Sequence, residues 1–211
     1  MSINLILADC IETMNNMENN AVNLLLTDIP YDSVSRKSNG LRNLDKGIAD
    51  ISTFNLSNFV NEAIRVTSGS GYIFCGWEQI SEIVSIIKQN NLSVRLCCWN
   101  KTNPSPMNGQ YIWLSGVEYA VYFKKRNATF NEHCKNPVFN FSTGKSKLFP
   151  TMKSIKLMEY LISVSSNDGD IVFDPCMGSG STGIAAKNLH RSFIGIEIDE
   201  DTYNLAKTLI N

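Results

Sequence analysis

The chain has 211 residues, of which 43% are hydrophobic and 18% are charged. This length suits one α/β domain with a sizeable core, and the composition is that of a globular protein. The net charge of −1 argues against indiscriminate binding to nucleic acid. The six cysteines form no Cys-x-x-Cys pair, so no zinc or redox spacing is present and we predict no metal site. Neither a signal peptide nor an apolar run of about 18 residues is visible, and we expect a cytoplasmic protein without a membrane segment.

Strand and helix patterns alternate along the chain. The patterns predict strands over residues 3–8, 22–26, 71–75, 94–99, 116–123, 171–174 and 192–198, and helices over residues 10–17, 56–66, 78–90, 154–164, 181–189 and 200–210. This alternation predicts a single α/β domain over residues 1–211 with a doubly wound, mainly parallel sheet. Strand 116–123 follows a loop and not a helix, so it is the candidate for an antiparallel strand.

Two stretches lack a regular pattern. Residues 32–53 are polar and contain two glycines and four basic residues, which predicts a long mobile loop of a kind that is often functional. Residues 124–147 show no clear periodicity. Together with residues 105–123 they form the region, about 105–145, that we predict to be a small recognition insertion.

The stretch from Asp170 to Gly183 reads Asp-Ile-Val-Phe-Asp-Pro-Cys-Met-Gly-Ser-Gly-Ser-Thr-Gly. Its first residues are typical of a buried parallel strand that ends in an acid. The middle residues are typical of a glycine turn, and the last residues are typical of a helix N-terminus. Such a strand, turn and helix make a nucleotide-type site, where glycines let a ligand approach the backbone. About 20 residues further on, Glu197 ends another strand, where an acid is placed to hydrogen-bond ribose hydroxyls. The alternative is that the glycines only form a tight turn.

The glycine stretch matches neither phosphate-binding fingerprint. It does not read G-x-G-x-x-G, and no lysine follows the glycines as a P-loop requires. A ribose-bearing ligand without a phosphate fits better, so we predict S-adenosylmethionine as the cofactor.

Positive charge is concentrated in one block of the sequence. Residues 101–156 contain nine basic and two acidic residues, a net charge of +7, which leaves −8 for the rest of the chain. The basic residues are Lys101, Lys124, Lys125, Arg126, Lys135, Lys145, Lys147, Lys153 and Lys156. Such asymmetry is a candidate footprint for a polyanion such as DNA. A solvated basic face is the alternative.

The segment Asp28-Ile-Pro-Tyr31 resembles the Asp-Pro-Pro-Tyr motif of amino-group DNA methyltransferases. The glycine stretch resembles the F-D-P-x-x-G-S-G-T cofactor motif of the same family. Because the Asp-Ile-Pro-Tyr segment comes first, the order of motifs resembles the circularly permuted beta class. The resemblance covers nearly the whole chain, and it implies the Rossmann-like fold of S-adenosylmethionine-dependent methyltransferases.

Two further segments support the resemblance. Trp99-Asn-Lys101 with Asn103-Pro104, followed by Glu118-Tyr119, is similar to the W-x-K-x-N-P…E-Y stretch of that class. Phe149-Pro-Thr-Met-Lys153 is similar to H-P-T-Q-K-P, which in that class also precedes the glycine motif.

The resemblance implies a catalytic role for Asp28, Ile29, Pro30 and Tyr31. A conjugated amino group is a poor nucleophile, and the Asp28 carboxylate and Ile29 carbonyl are placed to accept its N–H bonds. Pro30 biases Ile29 toward an extended backbone, and Tyr31 offers a stacking face to a base that has left the duplex. The alternative for Asp28 and Tyr31 is that they cap and pack a turn.

The resemblance and the basic block also give binding residues. The candidate cofactor-binding residues are Asp9, Cys10, Asp28, Phe149, Thr151, Asp174, Cys176, Gly178, Ser179, Gly180, Ser181 and Glu197. The candidate nucleic-acid-binding residues are Arg36, Lys37, Asn100, Lys101, Asn103, Lys124, Lys125 and Arg126. For Asp9, a simple cap at a strand end is the alternative.

Three departures from the family pattern are visible. Ile29 replaces the first proline of the four-residue motif, so Asp28 lacks the restraint that a following proline imposes. Phe149 and Ser154 replace the family's His and final Pro. The chain is short for the class, so it is expected to read a short site or to need a second subunit, such as a second copy.

These matches imply an S-adenosylmethionine-dependent transfer of a methyl group to an amino nitrogen in DNA. Adenine N6 is favoured, because an Asp-initiated motif in this class resembles adenine enzymes and a Ser-initiated motif resembles cytosine N4 enzymes. The alternatives are a cytosine N4 or RNA methyltransferase, or an inactive subunit that binds cofactor or DNA. The permuted order and the basic block argue against a protein-amide methyltransferase.

Overall fold

The described part of this computed structural model comprises residues 1–31, 55–106, 109–144 and 152–211. The predicted loop over residues 32–53, with the candidate DNA residues Arg36 and Lys37, lies outside these ranges. So do the candidate cofactor residues Phe149 and Thr151.

Eight strands and six helices are described. In chain order they are β1 (Ile3–Leu7), α1 (Cys10–Asn15), β2 (Val22–Asp28), α2 (Leu56–Val66), β3 (Thr67–Cys75), α3 (Ile80–Gln89), β4 (Ser93–Lys101), β5 (Val117–Lys124), β6 (Val138–Phe141), α4 (Ile155–Ser165), β7 (Ile171–Asp174), α5 (Ser181–Asn188), β8 (Ser192–Glu197) and α6 (Glu200–Ile210). None of the described helices is both long enough and apolar enough to cross a membrane.

The strands form one sheet in the order β1-β8-β7-β2-β3-β5-β4-β6. Every neighbouring pair is parallel except the two that contain β5, which runs antiparallel to both β3 and β4. The predicted mainly parallel sheet is therefore confirmed, and the strand expected to be antiparallel is antiparallel.

Helices cover both faces of the sheet, and successive side chains of a strand pack against opposite layers. In β2, Leu25 packs with residues of α1, α2 and α3, whereas Leu24 and Leu26 pack with residues of α4, α5 and α6. Because both faces of a central parallel strand are buried, its sequence is a continuous apolar run. This explains why the central strands were evident from the sequence.

The direction of the sheet's winding changes between β2 and β7. From β2 the chain passes through α2 to β3 on one side, and from β7 it passes through α5 to β8 on the other. In such sheets a ligand crevice opens outside the carboxyl ends of the strands at this switch point. Asp28 ends β2 and Asp174 ends β7, so the two acids flank the crevice.

The region 105–145, predicted to be one recognition insertion, is divided by the sheet. Its middle part is β5, which lies between β3 and β4 and carries buried core residues such as Val121 and Phe123. Its last part contains β6, an edge strand that the sequence did not reveal. Among the described residues of this region, the connections before β5, between β5 and β6, and after β6 lie outside the sheet.

Strand β3 begins four residues earlier than predicted, directly after α2. Its first residues are small or polar, which hides the strand, yet close packing requires the glycines among them. A Cβ atom on Gly71 would lie 2.2 Å from the Phe123 ring, and one on Gly69 would lie 2.2 Å from the Asn23 carbonyl oxygen. The polar appearance of this segment therefore reflects tight packing in the sheet.

Candidate active site

The Asp-Ile-Pro-Tyr segment leaves β2 at the switch point and turns back on itself. Ile29 is buried, and its backbone N–H donates to the Phe74 carbonyl at 3.1 Å, which continues the pairing with β3. The Tyr31 hydroxyl donates to Asp28 Oδ1 at 2.9 Å. The segment thus has the internal contact of a capped turn and also places a carboxylate and an aromatic ring side by side at the sheet edge.

Gln79, the residue directly before α3, contacts this turn, a role that the sequence did not suggest. Its side chain is buried, with Oε1 accepting from the Gly76 N–H at 2.9 Å and Nε2 donating to the Pro30 carbonyl at 3.1 Å. A Cβ atom on Gly76 would lie 3.5 Å from Tyr31 Cβ. The backbone at Tyr31 is therefore held by the hydrogen bond to the Pro30 carbonyl and by close packing against Gly76.

Lys153 joins the turn from the segment that precedes α4. Its ammonium lies 2.9 Å from Asp28 Oδ2 and donates to the Tyr31 hydroxyl at 3.0 Å. It also pairs with Glu118 Oε2 at the start of β5, at 2.5 Å. On the far side, Lys101 Nζ pairs with Glu118 Oε1 at 2.5 Å. The sequence contained Lys153 in a family-like motif, but nothing local indicated that it meets Asp28.

These charges shift one another's ionisation. Burial raises the pKa of Asp28, and the ammonium of Lys153 opposes that rise. For Glu118, burial acts in the same direction, but Lys153 and Lys101 lower its pKa below the ordinary value. For Lys153, burial is outweighed by Asp28, Tyr31 and Glu118, which raise its pKa well above the ordinary value. The arrangement therefore holds a charged lysine beside two acids.

The glycine turn follows β7 as predicted. Gly178 and Gly180 have φ values of +51° and +83°, which favour glycine. A Cβ atom on Gly180 would lie 2.7 Å from Ile210 Cδ1, whereas one on Gly178 would have no neighbour within 4 Å. Gly180 is thus required by packing against α6, while Gly178 faces open space that a ligand can enter. Ser181 is the first residue of α5.

Glu197 fixes the turn from the end of β8. Its Oε2 accepts from the Gly178 N–H at 3.0 Å, and its Oε1 accepts from the N–H groups of Ile198 and Asp199 at 2.9 and 3.0 Å. Since each carboxylate oxygen has two acceptor sites, Glu197 retains capacity for a ligand hydroxyl.

Asp9 and Cys10 lie at the same edge, because β1 pairs with β8 and the Ala8 N–H donates to the Glu197 carbonyl at 3.0 Å. Asp9 Oδ1 accepts from the N–H groups of Ile11 and Glu12, so it caps α1. A hydrogen bond with Cys10, together with burial, raises the pKa of Cys176 well above its ordinary value. Cys10, the first residue of α1, therefore lies close to the Cys176 thiol beside the glycine turn.

Asp174 is the most enclosed acid of the site, with 2% of its surface exposed. Burial raises the pKa of Asp174 to about 7, although hydrogen bonds such as that from the Cys176 N–H, at 3.2 Å, oppose the rise. A buried carboxyl group at a switch point is typical of functional sites. Asp174 is therefore positioned to meet a polar or cationic part of a ligand.

The candidate DNA residues separate into two groups. Asn100, Lys101 and Asn103 lie at the carboxyl edge near Glu118, where Asn100 contacts Asn140 and Asn103 accepts from the Thr143 N–H. The cluster Lys124, Lys125 and Arg126 lies at the other end of β5. There Lys124 is level with Ser70 and Ser93, at the amino ends of their strands. The structure does not bring this cluster to the catalytic motif.

The connection from β4 to β5 begins and ends at the carboxyl edge and exposes large side chains that the sequence did not single out. Tyr111 is 82% exposed and Trp113 is 95% exposed, with Ile112 and Leu114 also at the surface. Trp77, directly after β3, is exposed at the same edge. A groove of about 610 Å³ opens beside Lys153 and is lined in part by Asn103 and Thr143.

The sheet order, the glycine turn and the acids at the switch point define the fold of S-adenosylmethionine-dependent methyltransferases. A model of the N6/N4 DNA methylase family matches residues 22–208, and the chain belongs to this family of DNA amino-methyltransferases. S-adenosylmethionine is its cofactor.

Relatives agree with this assignment. The type II methyltransferase M.HpaI of Haemophilus parainfluenzae is 30% identical over 98% of this chain and 74% of its own length. The crystal structure of the M1.HpyAVI–SAM complex is 30% identical, covers 99% of this chain and 100% of its own, and has a TM-score of 0.77. The cytosine-N4-specific PvuII DNA methyltransferase, 14% identical with a TM-score of 0.74, covers 100% of this chain and 87% of its own, and shares the fold.

Proposed function

We propose that this chain methylates the N6 amino group of adenine in DNA, with Asp28 and Tyr31 in contact with the target base. The observation that carries the proposal is the Asp28 carboxylate at the switch point, beside an aromatic ring and across from the glycine turn. The resemblance of an Asp-initiated motif to adenine enzymes supports adenine over cytosine. Relatives that are type II methyltransferases support a place in a restriction-modification system.

Asp28 is suited to bind an amino group even though both of its oxygens have partners. Tyr31 uses one acceptor site of Oδ1 and Lys153 uses one of Oδ2. A carboxylate offers about four such sites, so Asp28 can accept an amino N–H without losing either contact. With the Ile29 carbonyl as second acceptor, the nitrogen lone pair would be directed toward the methyl donor, and catalysis would be mostly positioning.

The target base must leave the duplex to reach Asp28, because its amino group is otherwise paired and stacked. The Tyr31 ring is held by its hydroxyl contacts to Asp28 and Lys153 and by the backbone at Gly76. A ring fixed in this way offers a stacking face to the flipped base, worth about 1–3 kcal/mol.

The residues of the glycine turn fit S-adenosylmethionine. Gly178 faces open space, Glu197 retains acceptor capacity for a ribose hydroxyl, and Asp174 is a buried acid suited to the cationic methionine part. When bound, S-adenosylmethionine supplies an electrophilic methyl group on its sulfonium. Further cofactor contacts are proposed from Asp9, Cys10, Cys176, Ser179, Gly180, Ser181 and Asp28, and from Phe149 and Thr151 outside the described residues.

DNA is proposed to lie across the carboxyl edge of the sheet. The exposed side chains from Tyr111 to Leu114, Trp77 and the groove beside Lys153 support this surface. Asn100 and Asn103 lie at the same edge, and Arg36 and Lys37 in the segment after Tyr31 are proposed phosphate contacts. The surface that the described residues offer is small, which supports a short recognition site or a second subunit.

The test is to methylate DNA with labelled S-adenosylmethionine and to identify the modified nucleoside by mass spectrometry after digestion. The proposal predicts N6-methyladenine. Detection of N4-methylcytosine would instead identify the chain as a cytosine N4 methyltransferase. Incorporation of label into RNA and not into DNA would show that DNA is not the substrate. Absence of methylation in a protein that binds the cofactor would indicate an inactive subunit.

A further inference from the structure

One ammonium group meets three acceptors that come from distant parts of the sequence. Lys153 contacts Asp28 after β2, the hydroxyl of Tyr31, and Glu118 at the start of β5. A lysine ammonium has three N–H donors, so each of them has a partner here. Only 10% of the Lys153 side chain is exposed, which makes the group a fixed part of the site and not a solvated surface charge.

The cluster is balanced in charge. Lys101 and Lys153 each pair with one oxygen of Glu118, and Lys153 reaches onward to Asp28. Glu118 is held by both lysines, so it anchors Lys153 from the side opposite Asp28. The order of contacts from the sheet toward the turn is therefore Lys101, Glu118, Lys153 and then Asp28 with Tyr31.

We propose that Lys153 is a positioning residue for methyl transfer, whose ammonium, anchored by Glu118, fixes the Asp28 carboxylate and the Tyr31 ring in their base-binding arrangement. This inference rests on the proposed function, in which Asp28 and Tyr31 contact the base. Lys153 fixes these two residues without touching the base itself. Its removal would leave Asp28 with the Tyr31 hydroxyl as its one remaining side-chain contact described here, and would remove one of the two contacts that hold that hydroxyl.

Lys153 also sets the charge of Asp28. The titratable and charged groups that face Asp28 are Lys153, Tyr31 and Glu118, with Cys75 on β3 and Asp174 on β7 nearby. Among these, Lys153 is the cation, and the others are acids or neutral groups near neutrality. Loss of Lys153 should therefore favour the protonated form of Asp28, whereas loss of Glu118 should favour the ionised form. A lysine that only stabilised the fold would lower the free energy of unfolding without changing the methylation rate of the folded protein.

The experiment compares Lys153→Met, Lys153→Arg and Glu118→Gln with the unmodified protein. The pKa of Asp28 is measured by carbon-13 NMR of its carboxyl group, assigned with Asp28→Asn. Lys153→Met should raise that pKa by about 1–3 units, Glu118→Gln should lower it, and Lys153→Arg should leave it nearly unchanged because the charge is kept. Lys88→Met, which removes a lysine at the far end of α3, is the matched control and should have no effect.

Single-turnover methylation is measured on the same variants. Lys153→Met should lower the rate by on the order of 10²-fold through misplacement of Asp28, at cofactor concentrations that saturate the protein, and Lys153→Arg should recover part of the loss. A Lys153→Met protein with the normal rate and a normal Asp28 pKa would overturn the inference. If that variant fails to fold, Glu118→Gln decides, because a normal rate together with an unchanged Asp28 pKa there would equally overturn it. Full activity of Asp28→Ala would instead overturn the proposed function.

Discussion

The backbone N–H of Gly178 donates a hydrogen bond to Glu197 Oε2 at 3.0 Å. This bond ties the turn after β7 to the end of β8, so the two parts of the predicted ribose site form one unit. Gly178 has a positive φ and faces open space on the side where a side chain would project. The unit is therefore rigid on the protein side and open on the ligand side.

A side chain at Gly178 should block the cofactor. We expect Gly178→Val to lower S-adenosylmethionine affinity by at least about tenfold in calorimetry, since the new side chain would occupy the space next to the backbone. Gly169→Val is the matched control, because Gly169 has a φ of +82° and an equally open Cβ position but lies before β7, at the other edge of the sheet. Both variants should lose stability through backbone strain. Equal cofactor affinity in the two would contradict the assignment of the site.

The buried carboxyl of Asp174 should make the stability of the cofactor-free protein depend on pH. Burial raises the pKa of Asp174 to about 7, whereas an aspartate in an unfolded chain titrates near ~3.9. The folded chain therefore keeps a proton that the unfolded chain has released. The stability from this group is complete below about pH 4 and is lost as the pH rises through about 7.

Urea unfolding between about pH 5 and about pH 8 measures this effect. The contribution of Asp174 to the free energy of unfolding should fall by up to about 1.4 kcal/mol per pH unit within the window. Asp174→Asn cannot ionise, so its stability relative to the unmodified protein should increase as the pH rises. A constant difference between the two proteins across this range would show that Asp174 has an ordinary pKa.

The exposed loop between β4 and β5 should contribute to DNA binding. Trp113 is 95% exposed on a connection that starts and ends at the catalytic edge. We expect Trp113→Ala to weaken DNA binding by about 1–3 kcal/mol, the usual value of an aromatic side chain stacked on a base. Phe130→Ala removes another exposed aromatic ring, from the segment whose Asn131 contacts the end of α4, and serves as control. Equal losses of DNA affinity in the two variants, or no loss from Trp113→Ala, would show that the loop does not contact DNA.

The basic cluster Lys124, Lys125 and Arg126 is expected to lie outside the DNA contact. It is separated from the carboxyl edge by the length of β5, about 23 Å for eight residues, and Lys125 donates to Asn20 Oδ1 at 2.9 Å. Replacing all three with glutamate should leave the salt dependence of DNA affinity unchanged. A log–log slope that flattens by about 0.9 per residue would instead confirm the sequence prediction that the cluster contacts phosphates.

The elements that could be predicted from the sequence are those whose residues are adjacent in the chain. The strand Ile171–Asp174, the glycines and the start of α5 are adjacent in the chain, and the apolar run of β2 reflects burial on both faces. The antiparallel direction of β5 followed from the absence of a helix before it.

What the sequence could not show depends on pairing between distant segments. Strand β6 exists because it pairs with β4, about 40 residues earlier in the chain, and has no strong pattern of its own. Lys153 meets Asp28 only in the folded chain. The net charge of residues 101–156 also could not show that Lys124 and Glu118 lie at opposite ends of β5, and therefore at opposite edges of the sheet. These contacts are products of topology, which local patterns do not specify.

In the proposed function, Asp28 acts on the amino group during transfer, after the base has left the duplex. An interaction that strengthens toward the transition state affects turnover more than binding. Asp28→Ala should therefore lower the rate of transfer while cofactor and DNA still bind. Tyr31→Ala should instead weaken the hold on the flipped base, so a mismatch opposite the target adenine, which lowers the cost of unpairing, should partly rescue it. Asp170→Ala, at the opposite end of β7, is the control for loss of an acid.

The decisive measurement is single-turnover methyl transfer from labelled S-adenosylmethionine, for each variant, on matched and mismatched duplexes. We expect a loss of about 10²-fold or more for Asp28→Ala on both duplexes, and a smaller loss for Tyr31→Ala that the mismatch partly restores. Full activity of Asp28→Ala, or equal rescue of both variants by the mismatch, would contradict the proposed function.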